Sequence, residues 1–172
     1  MFIKKHITAL GFVPKNGTNG IYHKIYVDYA IEIDFETQSI NYGSAITAES
    51  KTTQNFSQPE NFVVLECVDR LLTKGYKPQN IVLEKTWPSG HGTSGRLDIC
   101  VNREDGTPYM LIECKTFGKE YNKELARIRK DGGQLFTYFQ LSGSKADVLM
   151  LYASELKGNK IVYANEIIKI ED

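Results

Sequence analysis

Three charged side chains on two predicted neighbouring strands could act together in chemistry. Asp98 lies in the apolar stretch GRLDICV, and Glu113 and Lys115 lie in LIECK, after the short turn NREDG. Because side chains alternate along a strand, Glu113 and Lys115 point to the same face. Folding the two strands into a hairpin brings Asp98 level with them. The sequence therefore predicts two carboxylates and an ammonium at one edge of a sheet.

Such a group is suited to binding a divalent cation. The carboxylates of Asp98 and Glu113, with the main-chain carbonyl of Cys114, form an oxygen cage suited to Mg²⁺, which also binds substrate phosphate. A bound metal acidifies a water molecule, and Lys115 could position that water or neutralise developing charge. For Glu113 and Lys115 alone, an ordinary surface salt bridge is the alternative. The presence of Asp98 among apolar neighbours favours the catalytic interpretation.

The elements that must position these residues follow an α-β-β-β-α-β order, with one further strand. Strands are predicted at residues 81–87, 95–101 and 108–114, a long helix at 119–141, and two short strands in ADVLMLYAS and KIVYANEI. This order indicates an α/β domain with helices packed on a mixed sheet.

The first helix of this domain carries start and stop signals. Ser57 can act as its N-cap, Pro59 falls in the first turn, and Glu60 completes a capping box three residues after Ser57. Gly75 then ends the helix.

The N-terminal part of the chain has a different pattern. Residues 20–43 are rich in Tyr, Ile and Val with period-two alternation, which predicts an antiparallel β extension. Residues 44–58 are polar and without periodicity, and they predict a loop or linker. We therefore expect a β extension with its linker at 1–50 and the main domain at 51–172.

Composition excludes several classes of protein. The chain has 172 residues, and its 21 Lys and Arg equal its 21 Asp and Glu, so a strongly basic nucleic-acid coat is excluded. Three scattered cysteines without a CxxC pair argue against a disulfide framework or a zinc ribbon. No apolar run approaches the roughly 20 residues that span a bilayer. We expect a cytoplasmic protein with no membrane partner.

The residues also carry a family resemblance. Asp98 and Glu113-Cys114-Lys115 resemble the D…(D/E)xK signature of the PD-(D/E)xK nuclease superfamily, with Leu97 in place of the usual proline. Gln134 and Tyr138 match the Q-x-x-x-Y element of a subset of these nucleases. Residues 57–152 look most like the N-terminal nuclease domain of a type I restriction enzyme R protein.

This resemblance implies a restriction-endonuclease-like fold and a Mg²⁺-dependent DNA endonuclease domain, with Mn²⁺ as a possible substitute. Asp98 and Glu113 would bind the metal, Lys115 would assist the water, and Gln134 and Tyr138 would contact the DNA strand or orient the lysine side of the site. The alternative for Gln134 and Tyr138 is a structural one, a partly buried tyrosine with a nearby amide partner. The implied partners are double-stranded DNA and the motor, methylase and specificity components of a restriction system. The chain has no P-loop motif, so the motor would lie elsewhere.

The resemblance further implies an acidic residue near the metal on the first helix. Glu60 and Glu66 are the two candidates, and Glu60 is preferred because it directly follows Pro59. The alternatives are the capping box for Glu60 and a solvated helix face for Glu66.

Basic residues recur at helical spacing after Lys115 and could follow a phosphate backbone. They are Lys119, Lys123, Arg127 and Lys130. Glu120 and Glu124 lie beside them, so a solvent-exposed face with salt bridges is the alternative. Gly132-Gly133 should break or kink the helix.

Three neighbouring residues have weaker functional signals. Arg96 is expected on the face opposite Asp98, His91 in a loop near the substrate, and Trp87 in the core.

Two other functions remain open at this point. One is a stand-alone nuclease of the same superfamily, such as a junction resolvase or a type II restriction enzyme. The other is a non-catalytic DNA-binding or assembly module with the same fold.

Overall fold

The computed structural model describes residues 4–88 and 95–170, which form two sheets, four α-helices and a short 3₁₀-helix (Pro78–Asn80) within those ranges. The helices are α1 (Lys4–Ala9), α2 (Glu60–Thr73), α3 (Lys119–Asp131) and α4 (Gly133–Leu141). The strands are β1 (Val13–Pro14), β2 (Ile21–Tyr26), β3 (Tyr29–Asp34), β4 (Ser39–Asn41), β5 (Thr47–Ala48), β6 (Ile81–Thr86), β7 (Arg96–Asn102), β8 (Pro108–Cys114), β9 (Val148–Lys157) and β10 (Lys160–Lys169). His91 lies outside the described residues.

The larger sheet has the order β10-β9-β8-β7-β6-β5 and mixes parallel with antiparallel pairs. Strands β8 and β9 run parallel, and α3 and α4 form the connection between them. Strands β6, β7 and β8 are antiparallel neighbours. The predicted α/β fold, with its mixed sheet and its α-β-β-β-α-β order, is confirmed.

The smaller sheet is antiparallel, with the order β1-β2-β3-β4, as the N-terminal alternation predicts. Ile31 and Ile33 of β3 are fully buried and share one hydrophobic cluster with Ile7 of α1 and Val64 of α2. The polar segment 44–58 is not entirely a loop, because β5 within it pairs with β6 at the edge of the larger sheet. A strand of two residues is too short to produce a periodic signal.

Helix α2 begins later than its sequence signals predict. Its N-cap is Pro59, with no side-chain capping bond, so the predicted capping box is wrong. The Ser57 hydroxyl is instead bonded to the Asn55 side chain at 2.5 Å. The predicted end is confirmed: Gly75 has φ +91°, a left-handed conformation that glycine adopts without strain.

The two faces of the larger sheet are covered by different helices. On one face, Ile112 packs in the hydrophobic cluster that contains the buried residues of α2. On the other face, its neighbour Leu111 packs with Leu135 of α4 and Ile128 of α3. None of the helices in residues 4–88 and 95–170 is long and apolar enough to cross a membrane.

The predicted long helix is broken at Gly132, as its glycine pair indicates. Gly132 has φ +86°, and a Cβ at this position would lie 2.5 Å from Cγ of Phe136. Gly133 has φ +55°, and a Cβ there would lie 2.7 Å from Oε1 of Glu124. Gly132 is therefore required by its backbone conformation and by close packing against Phe136 of α4, and Gly133 by its backbone conformation and by close packing between α3 and α4.

We expect Gly132→Ala to destabilise the protein more than Gly106→Ala. Gly106 has φ +81°, but a Cβ there would meet nothing within 4 Å, so the control carries the backbone cost alone. That cost is about 1–2 kcal/mol, and overpacking at Gly132 adds about 1–3 kcal/mol. Urea unfolding of the three proteins measures the difference. Equal losses of stability would show that the turn into α4 accommodates a methyl group beside Phe136 without cost.

Candidate active site

Asp98 and Glu113 lie beside each other where β7 and β8 stop pairing. The regular ladder ends with Ile99 opposite Ile112. Two residues further along β8, the main-chain N–H of Cys114 donates to Oδ2 of Asp98 at 2.7 Å. The Asp98 carboxylate therefore takes the place of a ladder bond and lies next to Glu113, which is 3 % exposed.

Lys115 joins this pair to α2. Its Nζ lies 2.5 Å from Oε1 of Glu113 and 3.5 Å from Oε1 of Glu60. Its main-chain N–H donates to the Tyr152 carbonyl of β9 at 2.9 Å, which fixes the backbone just beyond β8. The structure thus brings together the three residues expected from the strands and Glu60, the preferred acid of the helix.

Glu66, the other candidate acid, does not lie at this site. Its carboxylate accepts a hydrogen bond from the Tyr152 hydroxyl at 2.5 Å and is paired with Arg70 at 2.6 Å. Glu66 is 2 % exposed, so the expected solvated face is also wrong. It belongs to a buried polar network between α2 and β9.

Two further charged residues, Glu84 and Arg96, line a pocket together with Asp98 and Glu60. The expectation that Arg96 faces away from Asp98 is wrong, because residues two apart in a strand share a face. Arg96 forms an ion pair with Glu84, which is almost completely buried in β6. Strand alternation could have identified Arg96, but no sequence signal identifies Glu84 as its partner.

Burial dominates the ionisation of the acids. Burial, with the neighbouring Glu113 charge, raises the pKa of Asp98 well above its usual range. Burial raises the pKa of Glu113 to about 7, although Lys115 acts in the opposite direction. The pKa of Glu60 is also raised by burial. Burial lowers the pKa of Lys115, but Glu113 more than offsets this, so the net shift is upward and the ammonium stays charged.

The donor set fits a hard cation. Oε2 of Glu113 is buried and has no hydrogen-bond partner, although a buried carboxylate oxygen is costly to leave unpaired. No group of three or more His, Cys, Asp or Glu side chains within residues 4–88 and 95–170 is arranged to hold a metal ion. The candidate cage is therefore two carboxylates and a main-chain carbonyl. Mg²⁺ needs no more than one or two carboxylates, because it keeps several waters.

Gln134 and Tyr138 have different environments despite their helical spacing. Tyr138 is buried, its hydroxyl donates to the Arg96 carbonyl at 2.9 Å, and a Cβ on Gly95 would lie 2.6 Å from its ring. Gln134 is exposed, and its main-chain N–H donates to Oε1 of Glu124 at 3.2 Å. Tyr138 thus fixes the start of β7, which carries Asp98. Trp87 packs beside the Tyr138 ring, with centroids 6.2 Å apart, and is partly buried.

The basic residues of α3 are exposed, and two of them pair with glutamates of the same helix. Lys123 lies 4.0 Å from Glu120, and Arg127 lies 3.3 Å from Glu124. Lys119 stands at the start of α3 and Lys130 near its end, and both are exposed.

Comparison with known proteins gives one family. The model of the type I restriction enzyme R protein N terminus matches residues 59–150, more than half of the chain. The chain belongs to this family. The match spans α2 to the start of β9 and contains Glu60, Asp98, Glu113 and Lys115. Membership in the R protein family connects the protein with restriction systems. It confirms the predicted resemblance to the N terminus of type I restriction enzyme R proteins. A search of curated proteins finds no match to the chain.

The raised pKa of Glu113 predicts that this R-protein domain loses stability as pH rises. The folded pKa of about 7 exceeds the usual 4.5, so the folded state binds more protons between these values. Without divalent metal, we expect the free energy of unfolding of the wild type to fall by an amount on the order of 3 kcal/mol between pH 5 and 8, since one pKa unit corresponds to about 1.4 kcal/mol. Glu113→Gln should not show this fall, because it has no carboxyl group to ionise.

Urea unfolding in EDTA at both pH values measures this difference. Glu104→Gln is the matched control, because Glu104 is exposed and paired with Lys77 on the surface. If Glu113→Gln and Glu104→Gln show the same pH dependence, Glu113 is ionised at little cost in the folded protein.

Proposed function

We propose that this chain carries the Mg²⁺-dependent DNA endonuclease domain of a type I restriction enzyme R protein, within the PD-(D/E)xK superfamily. The observation that carries the proposal is the pair of half-buried Asp98 and buried Glu113, with the partnerless Glu113 oxygen and with Lys115 at hydrogen-bond distance. Family membership supports the restriction context. We propose residues 51–172 as the nuclease domain, preceded by the β extension and linker at 1–50.

Asp98 and Glu113 would hold the cation, with the Cys114 carbonyl as a further oxygen ligand and Glu60 as an additional acid at the edge of the site. The Cys114 N–H fixes the orientation of Asp98, so one carboxylate is already positioned before a cation binds. When bound, Mg²⁺ acidifies a water molecule and stabilises negative charge on the phosphoryl oxygens. Mn²⁺ prefers similar oxygen ligands and is expected to substitute.

Lys115 contributes a positive charge beside the cation. An ammonium has three donors and no acceptor, so it cannot be a metal ligand. The Lys115 ammonium donates hydrogen bonds to Glu113 and Glu60, which use two of its three donors. Its remaining donor capacity can orient the attacking water or bind a phosphate oxygen whose charge grows in the transition state.

Double-stranded DNA is the proposed substrate, and the exposed side chains of Gln134, Lys119, Lys123 and Arg127 could approach its backbone. Tyr138 would support the substrate side indirectly, through the strand that carries Asp98. The pairing of Lys123 and Arg127 with glutamates weakens the positive field of α3. The formal net charge of +0 adds no long-range attraction. We therefore propose that the motor, methylase and specificity components deliver the DNA.

We predict that the protein cleaves plasmid DNA with Mg²⁺ or Mn²⁺ but not in EDTA, and that Lys115→Ala lowers the rate by about 10²–10³-fold. Lys77→Ala is the matched control, because Lys77 also pairs with a glutamate but lies on the surface. Calorimetric titration with Mn²⁺ should show that Lys115→Ala still binds metal, whereas Asp98→Asn does not.

Three results would contradict the proposal in different ways. Absence of wild-type cleavage at saturating metal and high protein concentration would favour the non-catalytic module. Loss of Mn²⁺ binding in folded Lys115→Ala would make the lysine a structural partner of the acids. Full activity of Asp98→Asn would remove this pair from the reaction.

A further inference from the structure

One edge of the larger sheet is a long strand with a neighbour on one side only. Strand β10 spans ten residues and pairs with β9 along its whole length without a bulge. No strand within residues 4–88 and 95–170 pairs with the other side of β10. The opposite edge of the sheet is β5, a strand of two residues, which is too short to recruit another chain. The sheet can therefore be extended by a further strand at β10.

The odd-numbered residues of β10 direct their main-chain groups to this free edge. The Tyr152 carbonyl of β9 accepts the Lys115 N–H on the side of β8, so the next residue of β9, Ala153, faces β10. Ala153 lies opposite Ala164 of β10. Because hydrogen-bonded pairs alternate along an antiparallel ladder, the even-numbered positions of β10 are bonded within the sheet. The N–H and carbonyl groups that face outwards belong to Ile161, Tyr163, Asn165, Ile167 and Lys169.

Strand β10 lacks most of the features that prevent edge strands from associating. It contains no proline, and its two lysines are its first and last residues, Lys160 and Lys169. Its one acidic residue, Glu166, is paired with Arg129 of α3 at 3.4 Å. The middle of the strand therefore presents no unpaired charge to an approaching chain.

Two large apolar side chains are exposed on one face of this edge. Tyr163 and Ile167 are 51 % and 52 % exposed, and residues four apart in a strand share a face. The Tyr163 ring is already held in place, because the Arg70 guanidinium lies 3.9 Å from its centroid and the Tyr152 ring stacks on it at 6.1 Å. A side chain that is fixed before association loses little conformational freedom when it binds.

We propose that β10 pairs antiparallel with β10 of a second copy of this chain, about a two-fold axis at Asn165. In this register, Tyr163 of each copy lies opposite Ile167 of the other copy. The exposed aromatic and β-branched residues then cover each other in a favourable cross-strand pair. The outward main-chain groups of both strands form about ten hydrogen bonds across the axis. The two sheets become one continuous sheet.

The side chains of β10 select this register over its neighbours. An axis at Tyr163 or at Ile167 leaves the other of these two residues outside the paired strands. An axis at Glu166 places two carboxylates directly opposite each other, which is unfavourable. An axis at Ala164 places Tyr163 opposite Asn165. With the axis at Asn165, Glu166 lies opposite Ala164, and no like charges face each other.

This association ends at two copies. A two-fold interface uses the same edge of both chains, so neither copy has a second β10 to offer. The outer edges of the combined sheet are the two copies of β5, which are short. We therefore expect a dimer and no larger assembly.

Sedimentation velocity across a concentration series tests the dimer. The chain should show a monomer–dimer equilibrium without larger species. Ile167→Lys should weaken the dimer roughly tenfold or more, because the change removes two symmetry-related contacts at once. Ile25→Lys is the matched control, since Ile25 is 66 % exposed but lies on β2 of the smaller sheet. Urea unfolding checks that both variants are folded.

Disulfide trapping tests the register. Asn165→Cys places two thiols opposite each other at the axis, with Cα atoms about 5.5 Å apart, which a disulfide can bridge. Lys169→Cys is the matched control, because Lys169 is exposed on the same face of the same strand, but its two copies would lie roughly 27 Å apart. The native cysteines are all buried, so they contribute little background. Mild oxidation should therefore trap Asn165→Cys as a dimer and leave Lys169→Cys monomeric on a denaturing gel.

Each outcome supports or overturns the β10 dimer. Weakening by Ile167→Lys together with trapping by Asn165→Cys supports it. A chain that stays monomeric at about 0.1 mM, where an interface of micromolar affinity is almost fully formed, would overturn it. A dimer that Ile167→Lys leaves unchanged, or that Lys169→Cys traps as well as Asn165→Cys, would also overturn it. Neither experiment uses DNA or metal, so failure of the dimer and failure of the proposed nuclease function are separate results.

Discussion

The contact of Lys115 with Glu113 and Glu60 is the interaction on which the site depends. Glu113 is buried at the end of β8, and an isolated buried carboxylate is strongly unfavourable unless it is paired or protonated. Lys115 supplies the pairing charge and at the same time connects the sheet to the first residue of α2. The position of the helix relative to the strands is therefore coupled to the charge balance of the site. One carboxylate oxygen still lacks a partner, which is the structural reason for assigning a cation there.

The opposite side of the site is positioned by hydrogen bonds and close packing of α4. Tyr138 of α4 holds the Arg96 carbonyl, and its ring leaves room for no side chain at Gly95. Helix α4 can place this ring because the chain turns sharply at Gly132 after α3. The buried Glu124 carboxylate then accepts the N–H of Gln134 at the start of α4. A tyrosine that resembles a substrate residue in the sequence thus acts in the structure as a support for the strand that carries Asp98.

The sequence predicts the positions of the strands better than the details of their ends. Strand β8 coincides with the predicted 108–114, because its apolar run is bounded by clear turn residues. The proximity of Asp98 and Glu113 follows from the hairpin. The predicted helix cap at Ser57 is wrong because α2 begins at Glu60 with Pro59 as its N-cap, while the Ser57 hydroxyl donates to Oδ1 of Asn55. The pairing of Glu84 with Arg96 could not be predicted, because Glu84 has a left-handed backbone conformation inside a strand, which periodicity does not reveal.

Together these contacts describe a sheet edge where three acids, Glu60, Asp98 and Glu113, lie near a single ammonium, that of Lys115. We propose that a divalent cation completes this charge balance. Anomalous diffraction from crystals soaked in Mn²⁺ tests it most directly. We expect one strong peak within ligand distance of Asp98 and Glu113 oxygens, with Lys115 outside the coordination shell. A saturating soak with no peak at these carboxylates, or with metal bound only elsewhere, would contradict it.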